Sequence, residues 1–97
     1  MALHRFGFIV VGAELDARQQ LSSRSFEVSI VGVASPEDGP AAAAQLLAEG
    51  VQLIELCGAF GPTWTACVIE AVEGRVPVGA VSYGAEALPG LAQIFLS

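Results

Sequence analysis

The chain has 97 residues, which fits one domain with a single core and leaves no room for a second, so residues 1–97 are predicted to form one domain. Hydrophobic residues make up 54% and charged residues 14%, against about 45–50% and about 25% in typical globular domains, so we expect a homo-oligomer that buries the surplus. The formal net charge of −6 argues against binding to a phosphate backbone, because such binding relies on clustered cations. No nucleic-acid partner is therefore expected.

The first strand-like run spans residues 5–12 and is followed by a connection, residues 13–25, that is barely long enough for a crossover. This connection contains the helix-compatible stretch DARQQLSSR, and strand one could run parallel or antiparallel to strand two. The apolar run FGFIVVGA is too short for a membrane span and has no flanks of a signal peptide. We therefore expect a cytoplasmic protein without a membrane partner.

The second strand-like run, residues 26–34, alternates Phe26, Val28 and Ile30 with polar residues. This alternation is typical of a half-exposed strand and predicts a position at the edge of the sheet. A helix is predicted next over residues 40–49, opened by Asp38 and Pro40 and stopped by Gly50.

The third run, residues 51–57, leads through a Gly-rich turn into a second helix, residues 62–73, and then to the fourth run, residues 76–83. Both helices make the connection long enough for a right-handed crossover, which predicts that strands two, three and four are parallel. The sequence thus predicts an α/β fold: a small, four-stranded, mostly parallel sheet with flanking helices and strand three at its centre. A ferredoxin-like or half-flavodoxin-like arrangement would fit. The remaining segment, GAEALPGLAQIFLS, ends in a short amphipathic stretch expected to dock on its own sheet or on a neighbour.

Ligands of open parallel sheets bind at the carboxyl ends of the strands. Glu55 and Cys57 lie near the end of strand three, and strict alternation would place them on one face, about 6.6 Å apart along the strand, where they could serve one pocket. Glu55 is a candidate general base, or a structural carboxylate paired with an arginine or backbone donors. Cys57 is a candidate nucleophile ahead of a helix, or an ordinary small core residue.

Other candidate ligand-binding residues occupy the loops at the same edge, and they are Glu14, Gly58, Phe60, Trp64, Ser82 and Tyr83. The aromatic residues could wall an apolar pocket, and core packing would explain them equally well. Two cysteines and one histidine match no zinc-site spacing, and the loop GAFG lacks the lysine of a phosphate-binding loop, so neither a metal nor a cofactor is expected.

The segments GVQLIELCGAFGP and GRVPVGAV, with the helix between them, resemble a family of small, uncharacterised bacterial proteins. The resemblance covers residues 50–81 closely and residues 5–34 loosely, and it implies a small α/β domain without an assigned activity. In the tail, ALPGL at residues 87–91 stands where the family pattern has His-Pro-Gly-Leu, so no role of that histidine carries over.

Two functions from different classes follow. The first is a cofactor-independent protein that binds a small apolar or weakly polar organic molecule, or a modest acid–base enzyme of the isomerase, cyclase or lyase type. The alternative is a non-catalytic structural or interaction module that self-associates.

Overall fold

The computed structural model describes residues 2–96 and contains one five-stranded sheet. The strand order is β2-β3-β1-β4-β5, and β2 alone runs antiparallel to its neighbour. The strands are β1 (Arg5–Val11), β2 (Ala17–Ser22), β3 (Glu27–Val33), β4 (Ile54–Leu56) and β5 (Val78–Ala80). The helices are α1 (Gly39–Ala48), α2 (Gly61–Ala71) and α3 (Leu88–Phe95), each preceded by a short 3₁₀ turn. The prediction of a mostly parallel α/β fold is confirmed, but the sheet has five strands and not four.

The extra strand, β2, lies in the connection that was expected to be helix-compatible. Its sequence ARQQLS has no apolar alternation, and every side chain in it is exposed. Hydrogen bonding to β3, in a register that pairs Ala17 with Gly32 and Ser22 with Glu27, holds it in place. Because β2 occupies the edge, the prediction that the second strand-like run forms an edge strand is wrong: β3 is internal.

The centre of the sheet is β1 and not β4, which corrects the prediction that strand three is central. The crossover from β3 to β4 passes over β1, which therefore pairs in parallel with both of them. The first strand-like run of the sequence, β1, therefore runs parallel to the second run, β3.

Both α1 and α2 lie on the same face of the sheet. The chain moves from β3 to β4 through α1 and from β4 to β5 through α2, in the same direction across the sheet. Right-handed crossovers that advance in one direction place their helices on one side, and α1 and α2 pack against each other there. The core lies between them and the sheet, and its largest buried side chains are Ile9, Leu46, Ile54, Leu56, Phe60, Val68 and Val72.

The opposite face of the sheet, here termed the open face, has neither α1 nor α2 on it. The strand registers place nine side chains there: Phe6, Phe8, Val10, Ala17, Gln19, Leu21, Val28, Ile30 and Glu55. Helix α3 packs mainly against the 3₁₀ turn that precedes it. The half-exposed alternation in β3 therefore reflects a sheet that is covered on one side only.

Two ion pairs connect elements at the amino end of the sheet. Arg18 of β2 binds the carboxylate of Glu49, just after α1, and the Arg5 Nε lies 2.8 Å from Glu27 Oε1. The Arg5 guanidinium also donates from Nη1 to the Glu49 carbonyl at 3.1 Å. These contacts attach α1 to the strands on which it packs. Within residues 2–96, none of the helices combines the length and apolar character needed to cross a bilayer.

Candidate ligand cavity at the switch point of the sheet

The strand order creates a topological switch point between β1 and β4. After β1 the chain turns toward β2 and β3, whereas after β4 it turns the other way, toward β5. The loops at the two carboxyl ends therefore separate and leave a crevice, which is where open α/β sheets bind their ligands. The crevice lies beside Val11 and Gly12 on one side and Cys57 and Gly58 on the other.

A cavity of about 470 Å³ occupies this crevice and is here termed the switch-point cavity. Its volume falls within the range of roughly 300–1,000 Å³ that is common for small-molecule sites. Seven residues line it: Val11, Cys57, Gly58, Ala59, Tyr83, Leu91 and Phe95. A neighbouring depression of about 410 Å³ shares Gly58 and lies between α2 and β5, where Ser82 forms part of its wall.

The Cys57 side chain is fixed at the floor of the cavity by the backbone of β1. Its sulfur accepts a hydrogen bond from the Val11 N–H at 3.3 Å, and its own N–H donates to the Ile9 carbonyl at 3.1 Å. Cys57 is half-buried, and no disulfide forms. Because the sulfur acts as acceptor toward β1, the thiol proton can be directed at a bound molecule.

Gly58 and Tyr83 pack closely beside Cys57. A Cβ added to Gly58 would lie 3.2 Å from the Val81 carbonyl oxygen and 3.4 Å from Tyr83 Cε1. The absence of a side chain at Gly58 lets the Tyr83 ring approach the start of the 3₁₀ turn. The Tyr83 side chain lines the cavity and is 62% exposed.

Helix α3 supplies the outer wall of the cavity through Leu91 and Phe95. The sequence prediction did not assign these residues, nor Val11 and Ala59, to the site. The apolar spacing of the C-terminal stretch was the available signal, but it indicated only that the helix docks somewhere. Which surface it meets depends on the path of residues 81–87 between β5 and α3, a tertiary feature that spacing does not encode.

Glu55 does not share the switch-point cavity with Cys57. It is exposed on the open face, where it pairs in register with Phe8 and Gly79, and it borders a shallow depression of about 180 Å³ with the strand β5. The expected alternation ends with β4 at Leu56, because Cys57 already begins the 3₁₀ turn and turns toward the carboxyl edge. The structure thus separates the two predicted catalytic residues.

The remaining predicted site residues also divide between core and surface. Phe60 is only 2% exposed, and its ring packs against Gly39 at the start of α1, so it is a core residue and not a cavity wall. Trp64 is half-buried against the same core. Glu14 is exposed in the β1–β2 turn with φ of 59°, and it lines neither of the two large depressions.

Arg18 and Glu49 have shifted pKa values, and their ion pair lies at the amino end of the sheet, away from the cavity. Hydrogen bonding to Arg18 lowers the pKa of the Glu49 carboxyl, and the same contact raises the pKa of the Arg18 guanidinium. No group of three or more His, Cys, Asp or Glu side chains within residues 2–96 is arranged to hold a metal ion. The cavity itself is lined by apolar groups with one thiol and one phenol.

Comparisons with known proteins give a family and no activity. No curated protein and no solved structure matches the chain. A family model matches residues 4–96, which is nearly the whole length, and agrees with the expectation of an uncharacterised family. The chain belongs to the family of unknown function DUF6506.

Proposed function

We propose that the protein binds a small, largely apolar organic molecule in the switch-point cavity, with the Cys57 thiol and the Tyr83 hydroxyl as its polar contacts. The observation that supports this proposal is the position of a cavity of about 470 Å³ at the one crevice where the loops of a parallel sheet diverge.

The chemistry of the lining defines the class of ligand. None of the seven lining residues carries a formal charge, and five offer only apolar side chains or backbone. A charged ligand would lose hydration there without gaining a counter-ion, whereas a neutral ring or branched chain would replace water at apolar surface. A neutral molecule with one hydrogen-bonding group fits the arrangement best.

Acid–base catalysis in this cavity would rest on Cys57 and Tyr83, because the Glu55 carboxylate lies on the open face. A general base must reach the proton that it removes, within about 2.6–3.2 Å or through one water. An isomerase, cyclase or lyase that uses Glu55 would need a second binding position on the open face. Binding is therefore the primary proposal.

A fragment screen with neutral aromatic compounds, read by ligand-observed NMR, tests the proposal. Ala59 lines the cavity and is exposed, so Ala59→Phe fills the space with little effect on the core. Ala66 is the matched control, because it is exposed and lines only the neighbouring depression. We expect Ala59→Phe to weaken binding of the best fragment about tenfold or more, and Ala66→Phe to leave its Kd unchanged. Equal affinity for both variants would refute the cavity as the site.

A second candidate function, a non-catalytic module that self-associates, is supported by a different observation. Among residues 2–96, ten large hydrophobic side chains are exposed, including Leu21 at 58%, Ile94 at 69% and Phe95 at 76%. Apolar surface of this extent is typical of proteins that bind another macromolecule.

The proposal also includes a bacterial origin, a cytoplasmic location and no nucleic-acid partner. The similarity of residues 50–81 to bacterial proteins supports a bacterial origin. The free thiols Cys57 and Cys67 are compatible with a reducing, cytoplasmic location. The net charge of −6 argues against a nucleic-acid partner.

A further inference from the structure

The chain exposes more surface than a compact monomer of its size. Its solvent-accessible area is 6288 Å², whereas a folded monomer of 10.0 kDa is expected to expose about 5,200 Å². The excess of about 1,000 Å² slightly exceeds the roughly 800 Å² that each partner contributes to a standard protein interface. The Cα radius of gyration is 14.1 Å, against about 12.5 Å for a compact domain of this length.

Part of this excess is the open face, which is largely apolar over the region formed by β2, β3 and β1. Its central side chains, Phe8 and Ile30, are neighbours across the sheet and only half-buried. At one end, the rings of Phe6 and Phe26 pack with their centroids 5.8 Å apart, and Phe26 remains 37% exposed. Sheets covered by helices on one face and by nothing on the other leave half of their apolar pattern in water.

Helix α3 also contributes to the excess of exposed surface. Residues 87–96 contain no charged side chain, and Leu88, Ile94 and Leu96 are 60%, 69% and 83% exposed. A helix of eight residues is too short to be stable in water without packing. Leu91 lines the switch-point cavity, and Ile94, three residues further on, lies on the same side of the helix but remains largely exposed. The apolar side of α3 therefore has room for a second partner.

We propose that two copies of this chain associate through the open face, with the exposed side of α3 from each copy extending the interface. The inference specifies the surface for the self-association proposed above and is independent of any ligand. Two identical faces of this kind stack as aligned sheets about 10 Å apart, and the two copies bury the same residues. The surplus area matches one side of such an interface.

The charges of the chain favour a second copy over a lipid surface. Anionic membranes attract clustered Lys and Arg, but the open face has no cationic side chain, and the chain carries a net charge of −6. The single charge on the face, Glu55, belongs to β4. An interface centred on β3 therefore leaves Glu55 at its rim, where the carboxylate stays hydrated.

The test is the mass of the full-length protein in solution, measured by size-exclusion chromatography with light scattering over a range of micromolar concentrations. Leu21 and Gln20 are adjacent exposed residues of β2 that point to opposite faces, Leu21 to the open face and Gln20 to the helix side. Leu21→Glu therefore places two carboxylates in the proposed interface, and Gln20→Glu adds the same charge outside it. On α3, Ile94→Glu is compared with Gln93→Glu in the same way.

We expect a wild-type mass of about 20 kDa, twice the 10.0 kDa of one chain. Leu21→Glu should weaken dimerisation on the order of 100-fold or more, because both symmetry-related copies desolvate a charge. Ile94→Glu should weaken it less, and both glutamine controls should dimerise as the wild type does. Circular dichroism must show that each variant is folded, and because Leu21 is already 58% exposed its replacement should leave the monomer intact.

Each part of the proposal has its own contradicting result. A monomeric wild type would refute self-association altogether. If the Leu21→Glu variant dimerises as tightly as the Gln20→Glu variant, the open face is not the interface. If Ile94→Glu does not weaken dimerisation, α3 is not part of the interface.

Discussion

The close approach of α1 to the central strand makes Gly7→Ala the sharpest stability prediction. A Cβ added to Gly7 would lie 2.7 Å from Leu46 Cδ1, with Cδ2 and Cγ of the same side chain at 3.2 and 3.3 Å. Leu46 is completely buried, so its side chain cannot move aside into solvent. The added methyl group must displace α1 or force the leucine out of its rotamer.

The size of the effect follows from two opposing contributions. Overpacking a well-filled core costs about 1–3 kcal/mol. Replacing a strand glycine by alanine recovers roughly 0.5–1 kcal/mol of unfolded-state entropy and strand preference. The expected net loss in the free energy of unfolding is about 1–2 kcal/mol. Gly79→Ala is the matched control, because nothing lies within 4 Å of a Cβ at that position, and it should be neutral or slightly stabilising.

A double-mutant cycle isolates the contact, with urea unfolding followed by the fluorescence of Trp64. Leu46→Ala alone should cost about 2–5 kcal/mol through the cavity that it creates. In that background the clash is gone, and Gly7→Ala should become neutral or stabilising, which gives a coupling of about 1.5–2.5 kcal/mol. All variants must be compared at one protein concentration, because dimerisation would make stability concentration-dependent. A Gly7→Ala variant as stable as Gly79→Ala would show that the expected clash with Leu46 does not occur.

Two further predictions concern the ends of the helices. Glu73 adopts φ of 56° just after α2, a region that costs non-glycine residues about 1–2 kcal/mol, so Glu73→Gly should raise the free energy of unfolding by roughly 0.5–1 kcal/mol, and Glu70→Gly, inside the helix, should lower it. A Glu73→Gly variant that unfolds at lower urea concentration than wild type would contradict this. The Glu49 carboxyl has a folded-state pKa lowered by Arg18 from the ordinary value of 4.5, so its contribution is present above that value and is lost as the pH falls through the folded-state pKa. Because both side chains of this pair are more than one-third exposed, Glu49→Gln should cost only about 0.2–1 kcal/mol at pH 7 in urea unfolding, and progressively less as the pH falls below 4.5; a cost that does not change with pH would rule out the ion pair as its source.

The crossover helices were predictable because their signals are local. Pro40 and Pro62 near the first turns and Gly50 and Gly74 after the last turns indicate helices close to the observed Gly39–Ala48 and Gly61–Ala71. Parallel strands follow from the length of these crossovers. The edge strand β2 was not predictable in this way, because it buries no side chain and exists through backbone pairing with β3.

The position of the cavity was predictable from the sequence, whereas its lining was predictable only in part. The rule that ligands bind at the carboxyl ends of parallel strands led to Cys57, Gly58 and Tyr83, and these three line the switch-point cavity. Glu55 was grouped with Cys57 because period-two alternation was extended one residue beyond the end of β4. Phe60 was assigned to the wall because an aromatic residue in a Gly-rich loop has the same local signature whether it points into a cavity or into the core.

The most direct test of the proposed function is a crystal structure with the tightest-binding neutral fragment, supported by the amide chemical-shift changes that the fragment causes in solution. We expect the fragment to lie against Gly58 and Leu91, with its polar group within hydrogen-bonding distance of Cys57 or Tyr83. A fragment bound instead on the open face around Phe8, with the switch-point cavity empty at saturating concentration, would contradict the proposed function.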